Sequence, residues 1–483
     1  MSYIGKQLNV PASTVQLTAE GAITAGKPCI IEADGDVAQI AETAAAAGTA
    51  VVFESASLTD VSIAYDSNAQ KVVISYNDAG NSYYGTAIVG TVDPSDNSIS
   101  YGTAVVFASS GSISRIASTF DSSNNKVVIA YGDGGNSNYG TAIVGTVSGT
   151  SISFGSAAVF ESANAPGITI TYDANAGKVV IAYYDNGNSN YGTAVVGTVS
   201  GTSISFGSAV VFESAASEHA SIGYDSDSQK VVIGYQDGGN SNAGTAIVGT
   251  VSGTSISFGS AAVFDTADSI RIAVSYDSSA QKIVIAYRDG GSDDEGMAVV
   301  GTVSGTSISF GTPAEFDAKS DYVTSVYDTA AQQVVIAYQD RADNHGKAVA
   351  CTISGTSVSF TTPFTFASTN LDSDLGAAYD SNANRTVLGY RDGSNSDYGT
   401  AVVFKNGSTN LTSENFIGFA ENDCTDNGLA TIQLGGSVND KQTSLTAGQT
   451  YFVQTNGTIG TTAASPSVTA GTAVSATKIL VKG

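Results

Sequence analysis

Aspartate at two recurring positions is the residue with the clearest capacity for chemistry in this sequence. One Asp directly follows an aromatic residue, and this pair occurs at Tyr65-Asp66, Phe120-Asp121, Tyr172-Asp173, Tyr224-Asp225, Tyr276-Asp277, Tyr327-Asp328 and Tyr379-Asp380. A second Asp follows another recurring tyrosine by two positions, at Asp78, Asp133, Asp185, Asp237, Asp289, Asp340 and Asp392. Such carboxylates could bind metal ions, act as acids or cap tight loops. Because an active site seldom needs seven identical parts, we interpret both sets as structural.

The loop after the second Asp reads DxGNSxYG in several repeats. It is similar to calcium-binding loops and to the Asp-box of sialidases, but it lacks the alternating carboxylates and distal Glu of a good calcium loop. We therefore expect no metal ion and no other cofactor, with calcium in these loops as the open alternative.

Groups suited to catalysis are scarce. The two histidines, His219 and His345, fall in different repeats, so the sequence places neither beside a nucleophile. Cys351 is interpreted as a packed thiol, whereas Cys29 and Cys424 either form a disulfide or stay free. With 44 acidic residues, some pair at glycosidase spacing is unavoidable and carries no information. The sequence predicts a protein that is not an enzyme, and glycan cleavage is a lesser alternative.

The repeat itself predicts the elements that position these residues. The aromatic-Asp pairs are spaced by 51 to 55 residues, and each interval contains four apolar runs separated by Gly-, Asn- and Ser-rich turns. A period of this length with several strands per unit indicates a β-propeller. The seventh unit stops after its third strand, and an unassigned strand, GTAVVFES at 48–55, precedes the first. We therefore predict an all-β, seven-bladed β-propeller closed by an N-terminal strand.

The two ends of the chain do not fit the repeat. They alternate apolar and polar residues around Gly turns, and a closed ring brings its ends together. We predict one small β domain, built from residues 1–47 and 410–483, into which the propeller of residues 48–409 is inserted.

Charge and hydropathy exclude several functions. The formal net charge of -25 argues against a nucleic-acid partner, because affinity for a polyanion comes from basic side chains. No apolar run approaches the length of a membrane helix, so we expect no membrane insertion. The N-terminal sequence has no basic stretch followed by an apolar one, and we expect no secretion signal.

Positions that differ between repeats are the candidates for binding. The loops leading into the first strand vary widely, whereas the turns on the opposite face barely vary. Variation confined to one face is typical of a binding surface on a rigid scaffold. The residues five positions before each anchor aromatic form a predicted ring at the channel mouth: Asp60, Arg115, Gly167, His219, Arg271, Tyr322 and Asp374. The residues three positions before each anchor aromatic are all small and form a second, inner ring under the polar one in this prediction. A solvated rim without a ligand is the alternative interpretation.

A second group of candidates lies in the loops of units five and six. These loops depart from the common GNS pattern and read GGSDDEG and RADNHG. Their charged residues are Asp293, Asp294, Glu295, Arg341, Asp343 and His345. We expect this sector of the variable face to be a candidate binding region.

The flanks resemble the small β domains of tailed-bacteriophage virion proteins, in AITAGKPCIIEADGDV, NFIGFAEND and SLTAGQTYFVQTNGTIG. The blade text KVVIAYxDxGNSNYGTAIVGTVSGTSISFGSAVVF resembles repeats of tail-fibre or structural proteins of marine phages, including cyanophages. The resemblance implies a structural protein on the virion surface, assembled in the host cytoplasm and attached to other virion proteins through the small domain. It also implies a homo-oligomer, with a trimer as our guess. The first interpretation is a tail fibre that binds host glycan or protein. The alternative is a capsid decoration protein that stabilises the head.

Overall fold

The computed structural model describes residues 13–372, 375–464 and 466–482. Over this part of the chain it contains strands, four short 3-10 turns and no α-helix. No helical segment in these residues is long and apolar enough to cross a membrane. Contacts divide the chain into two compact units, one at Ala45–Asn406 and one formed by the described parts of Met1–Ala44 and Gly407–Gly483. The boundaries expected from the sequence, after residue 47 and before residue 410, differ from these by three residues.

Residues 45–406 form seven antiparallel sheet units, which we number 1 to 7 and whose strands we call a to d from the channel outwards. The a strands are Val51–Asp66, Ile113–Asp121, Thr169–Asp173, Val210–Asp225, Ala262–Asp277, Ser320–Asp328 and Gly376–Asp380. The b strands are Lys71–Asp78, Lys126–Asp133, Lys178–Asp185, Lys230–Asp237, Lys282–Asp289, Gln333–Asp340 and Arg385–Asp392. The c strands are Tyr84–Asp93, Tyr139–Ser148, Tyr191–Ser200, Ala243–Ser252, Glu295–Ser304, His345–Ser354 and Tyr398–Lys405. Each b strand pairs with the a and c strands of its own unit, as the repeat predicts.

The d strand is split into two short segments in most units. The first segments are Ser98–Tyr101, Ser151–Phe154, Ser203–Phe206, Ser255–Phe258, Ser307–Phe310 and Ser357–Phe360. The second segments are Val105–Ala108, Ala158–Asn164, Ala314–Asp317 and Phe364–Ala367, and in units 3 and 4 they are the beginnings of the long strands Val210–Asp225 and Ala262–Asp277. The four 3-10 turns between strands b and c are Ala79–Asn81, Gly134–Asn136, Asn186–Asn188 and Gly238–Asn240.

Residues that precede unit 1 complete the sheet of unit 7. Strand c of unit 7 pairs with Ala46–Ala47, with Phe404 opposite Ala47, and with the beginning of Val51–Asp66, where Thr400 lies opposite Val52. This is the closure that the orphan strand predicted, and it leaves neither end of the repeat array as a free sheet edge.

The hydrophobic core lies between neighbouring units. Strand b is apolar along almost its whole length because both of its faces are covered, as the near-continuous Val and Ile runs indicate. In one cluster, Val128 and Val144 of unit 2 pack with Val179 and Ile181 of unit 3, and all four are fully buried. The repetition of the sequence follows from this arrangement, since each unit must present the same surface to the next.

A buried tyrosine in strand b forms a hydrogen bond between units, which we call the latch. Tyr183 of unit 3 donates to Glu161 on the outer strand of unit 2, with 3.0 Å between the oxygens. The other latches are Tyr76–Glu54, Tyr235–Glu213, Tyr287–Asp265 and Tyr338–Asp317. Ala108 and Ala367 occupy the acid's position at the junctions of units 1 with 2 and 6 with 7.

Close approach between units accounts for the constant turn between strands c and d. A Cβ on Gly155 of unit 2 would lie 1.8 Å from the carbonyl oxygen of Thr202 in unit 3, so only glycine fits there. Strand d is interrupted at this glycine, and Phe154 and Ala158 pair with strand c on either side of the interruption.

Both recurring aspartates cap turns, which confirms their structural interpretation. Asp66 accepts the backbone N–H groups of Asn68 and Ala69 in the turn between strands a and b. Asp185 accepts the N–H of Gly187, 2.8 Å away, in the loop between strands b and c.

The second unit is built from both ends of the chain. One sheet orders its strands as Thr14–Thr18, Leu429–Gln433, Phe416–Ala420, Pro28–Ile31 and Val37–Gln39. The other orders them as Val438–Asn439, Lys478–Val481, Val468–Ser475, Thr450–Val453 and Ile459–Gly460, and a short ladder joins Glu42–Thr43 to Ser408–Thr409. Cys29 and Cys424 of this unit are free thiols, and so is Cys351 in strand c of propeller unit 6. Burial raises the pKa of Cys29 to about 12.

Candidate functional site

A cavity of about 430 Å³ lies at the mouth of the propeller, and residues from all seven units line it. We call it the mouth cavity. Six of the seven predicted ring residues line it together, namely Gly167 and the five that have side chains, Asp60, Arg115, His219, Arg271 and Tyr322. Gly167 supplies the equivalent position in unit 3. Asp374, the predicted member from unit 7, lies outside the residues that the structure describes.

A bulge in strand a turns these residues towards the cavity. The pairing with strand b shifts register at this point, for example between Glu218 and Ser221. Gly167 has φ +63°, and Arg115, His219 and Arg271 adopt the same left-handed conformation, with φ of 59°, 50° and 55°. This conformation costs a residue with a Cβ about 1–2 kcal/mol relative to the right-handed form. The chain places large polar side chains at a position that favours glycine, as expected where side chains have a function.

The bulge also changes which neighbour faces the cavity. Strict alternation along strand a predicted a second ring of small residues two positions further on. The lining instead includes the next residue along the chain, which is apolar in each unit, as with Ile116, Ile168 and Ile272. The mouth cavity therefore has polar groups at its rim and an apolar wall directly beside them.

Charges on the unit 5 and 6 side of the mouth pair with one another, and we call this group the paired sector. Asp321 accepts from Arg271 Nε at 3.0 Å and from Arg288 Nη1 at 2.7 Å. Asp294 pairs with Arg288, 3.4 Å away, and with Arg341. This continuous chain of five charged groups links strand a of unit 5 to the loops of units 5 and 6.

Tyr322 and His219, two residues of the predicted ring, lie next to the paired sector. The guanidinium of Arg271 lies over the ring of Tyr322, with Cζ 4.6 Å from the ring centroid, which is cation–π geometry. Burial, together with the positive charges of Arg271 and Arg288, lowers the pKa of His219 to about 4. His219 is therefore a neutral ring at pH 7.

The candidates in the loops of units 5 and 6 are brought together only in part. Asp343 accepts the backbone N–H of His345, and its carboxylate lies 3.3 Å from His345 Nδ1 and 3.2 Å from Lys347 Nζ. Although burial opposes the charged form, hydrogen bonds to Asp340 and Asp343 raise the pKa of Lys347. Within the described chain, the side chains of Asp293 and Glu295 make no hydrogen bond or ion pair.

The unit 1 to 3 side of the mouth differs, and we call Asp60, Arg115, Gly167 and Tyr184 the open sector. Asp60 accepts the backbone N–H of Arg115 at 3.1 Å, and burial raises the pKa of its carboxyl. Across the residues that the structure describes, no carboxylate oxygen lies within 4.0 Å of the Arg115 guanidinium nitrogens, and the side chain is exposed. Gly167 contributes no side chain beside it.

Sequence reasoning missed Tyr184, Arg288 and Asp321 as site residues. Tyr184 and Arg288 occupy the same position in strand b, between the latch tyrosine and the loop aspartate. That position differs in every neighbouring unit: Asn77, Gly132, Tyr184, Gln236, Arg288, Gln339 and Arg391. Variation inside an otherwise constant strand was the signal, because this side chain reaches the start of the next strand a, as with Arg288 and Asp321.

In the described parts of the chain, no group of three or more His, Cys, Asp or Glu side chains is arranged to hold a metal ion. The cavity has instead the composition of a site for an organic ligand, with a few convergent polar groups on an apolar wall.

No protein-family model and no curated relative matches this chain. Among solved structures, the lectin BP39L from Burkholderia pseudomallei is 11% identical, with a TM-score of 0.54 over 73% of this chain and 98% of that chain. A periplasmic gluconolactonase from Pseudomonas aeruginosa is 10% identical, with a TM-score of 0.48 over 74% of this chain and 97% of that one. A protein of unknown function from Dyadobacter fermentans is also 10% identical, with a TM-score of 0.48 over 75% and 99%. At this identity the lectin shows the fold class alone, which is an all-β, propeller-like fold.

Proposed function

We propose that residues 45–406 bind a glycan in the mouth cavity, and that the protein is a non-enzymatic component of a virion surface. The small unit attaches it to other virion proteins, and the propeller presents its variable face to the host as part of a tail fibre.

The mouth cavity carries the binding proposal. Its rim offers hydrogen-bond donors and acceptors such as Arg115, Glu218 and Arg271, and Tyr184 and Tyr322 add aromatic faces. Sugars need this combination, because their hydroxyls require hydrogen bonds while their C–H faces pack against aromatic rings. The name lectin, carried by the Burkholderia protein of similar fold, is in keeping with this proposal.

The virion part of the proposal is supported by the resemblance of the flank and blade segments to bacteriophage virion proteins. Its test is to locate the chain in purified particles. Copies in numbers comparable with the capsid subunit would indicate head decoration, a small number at the tail would support the fibre, and absence from particles would overturn the virion assignment.

The test of glycan binding uses the purified full chain on an array of host-type oligosaccharides. We expect specific binding that weakens about fivefold or more in Tyr184→Ala and Tyr322→Ala, since stacked rings contribute about 1 kcal/mol or more each. Lys282→Ala, at the first residue of strand b in unit 5, is the control and should bind normally. Absence of any bound glycan, or equal binding by the mouth variants and the wild type, would refute the proposal.

Glycan cleavage is a second candidate because of Asp60. A carboxyl whose pKa is raised by burial, in a cavity that also contains Glu218, has the character of a general acid. Incubation of bound oligosaccharides with the protein should release new reducing ends, and Asp60→Asn should abolish the release. No release at any pH tested would exclude this candidate.

A further inference from the structure

We propose that the ligand is an acidic sugar and that the open sector is its anion subsite, with Arg115 bound to the anionic group and Tyr184 beneath the sugar ring. This inference rests on the proposed glycan binding and names the ligand class of the same cavity.

The unpaired state of Arg115 is the first argument. The chain has 44 acidic residues against 19 basic ones, and its other arginines at this face have partners. Arg271, Arg288 and Arg341 belong to the paired sector, and Arg391 binds Asp372 at 2.8 Å. No described carboxylate lies within ion-pair distance of Arg115, although the cavity itself contains Asp60. A guanidinium left exposed among so many acids is available to an anion from outside.

Asp60 is kept from neutralising this cation by its own hydrogen bonds. Its Oδ1 accepts the backbone N–H of Arg115, and its Oδ2 accepts the hydroxyl of Thr59 at 3.2 Å. Burial raises the pKa of the Asp60 carboxyl. Neither of these hydrogen bonds uses the five N–H donors of the Arg115 guanidinium.

Space for a sugar ring beside Arg115 is the second argument. Gly167 is the ring position without a side chain, whereas its counterparts in units 2, 4, 5 and 6 are Arg115, His219, Arg271 and Tyr322. A Cβ built on Gly167 would lie 3.1 Å from Cδ1 of Tyr184, so the tyrosine ring lies directly under the gap.

Tyr184 itself is the third argument. It replaces the Gly, Asn, Gln or Arg of other units at this position, and it is half-exposed in the cavity instead of buried. Its backbone N–H donates to the carbonyl of Pro166 at 3.1 Å, which fixes the ring next to Gly167. Burial raises the pKa of the phenol, which therefore stays neutral and does not repel an anion.

The anionic group is a carboxylate or a sulfate, since both match the guanidinium fork. The test is an array of oligosaccharides that share one backbone and differ in being neutral, carboxylated or sulfated. We expect the wild-type full chain to prefer one acidic series, and the identity of that series assigns the anion.

Three variants localise the effect. Arg115→Gln should weaken binding of the preferred acidic series about 10- to 100-fold, the value of a charge-assisted hydrogen bond, while binding of the neutral series changes by less than about twofold. Gly167→His, which places the unit 4 residue in the gap, should block binding of the ring in every series. Arg115→Lys should restore part of the acidic preference, and Lys282→Gln, at the first residue of strand b in unit 5, should change nothing. Thermal unfolding of each variant checks that it folds.

Different failures separate the two proposals. Neutral glycans that bind as well as acidic ones, with no effect of Arg115→Gln, would overturn the acidic ligand and leave glycan binding intact. An array without any bound glycan would overturn both. Acidic binding that survives Gly167→His in a folded protein would place the anion elsewhere and reject this subsite.

Discussion

Units 5 and 6 and units 1 to 3 contribute arginines to the same mouth, but the two sectors use these charges differently. In the paired sector, Arg288 is 17% exposed and is held by two carboxylates, and Asp321 is 14% exposed and is held by two arginines. In the open sector, Arg115 is exposed and its guanidinium has no such partner among the described residues.

One junction in the open sector, between units 1 and 2, lacks hydrogen bonds that occur at other junctions. Units 5 and 6 are joined by the latch from Tyr338 to Asp317, at 2.9 Å. Between units 1 and 2, Ala108 replaces the acid, and Phe120 replaces the anchor tyrosine whose hydroxyl, in unit 3, binds Ser123 of the preceding turn. The junction of units 1 and 2 therefore lacks both tyrosine bonds, whereas the junction of units 2 and 3, in the same sector, has both of them. Charge density alone marked units 5 and 6 as candidates, but pairing identifies units 1 to 3 as the more available surface.

The largest expected difference concerns Arg288→Ala. Removing this side chain leaves Asp294 and the largely buried Asp321 with one partner each, and we expect a loss of about 2–3 kcal/mol of unfolding free energy. Arg115→Gln should change stability by less than about 0.5 kcal/mol. Urea unfolding of the full chain measures both. Equal losses would remove the distinction between the sectors.

A smaller difference is expected for the latch tyrosines. Tyr338→Phe deprives Asp317 of a buried donor and should cost about 1–2 kcal/mol, whereas Tyr131→Phe, opposite Ala108, should cost less than about 0.5 kcal/mol. The two changes are chemically identical, so urea midpoints compare the junctions directly. A large effect of Tyr131→Phe would show that the Tyr131 hydroxyl has a polar partner that stabilises the junction of units 1 and 2.

The pH dependence of stability should separate His219 from the rest of the mouth. Its pKa of about 4 in the folded state lies below the ordinary value, so between these two values the unfolded chain binds a proton that the native chain does not. This contribution to stability is present near neutral pH and is lost as the pH falls. We expect the difference in unfolding free energy between about pH 7 and about pH 4 to be smaller by about 1–2 kcal/mol in His219→Gln. An unchanged difference would show that the ring titrates normally.

The smallest effect is a gain. Ala108→Glu supplies the missing acid opposite Tyr131, in the register that Glu161 occupies one unit later. The new latch should stabilise the full chain by about 0.5–1 kcal/mol in urea unfolding. Val106→Glu, at an exposed position of the same strand, is the control and should add nothing. Destabilisation by Ala108→Glu would mean that the junction of units 1 and 2 has no room for the latch.

The repeat made the fold predictable, because a period of about 52 residues with constant strands b and c leaves few alternatives. Closure was predictable for a similar reason, since one unit lacked a strand that another segment supplied. The ring at the mouth was predictable from its variability, and the structure brings Asp60, Arg115, His219, Arg271 and Tyr322 to one cavity.

The remaining features depend on geometry that the sequence does not encode locally. A bulge with positive φ at Arg115 or His219 runs against residue propensities, so the sequence did not show that the next, apolar residue also lines the cavity. Ion pairing depends on distances across units, and nothing in the sequence placed Asp321 between Arg271 and Arg288. Tyr184 was detectable only as a variable position inside a constant strand.

The closing strand also has a consequence for synthesis on the ribosome. Ala401 pairs with Val51, which leaves the exit tunnel 350 residues earlier. Until unit 7 is made, Val51 and its neighbours have no c strand to pair with and present an open edge to other chains. We therefore expect closure of the ring to be the last step of folding and a slow one, because the contact that completes it is among the most distant in the sequence.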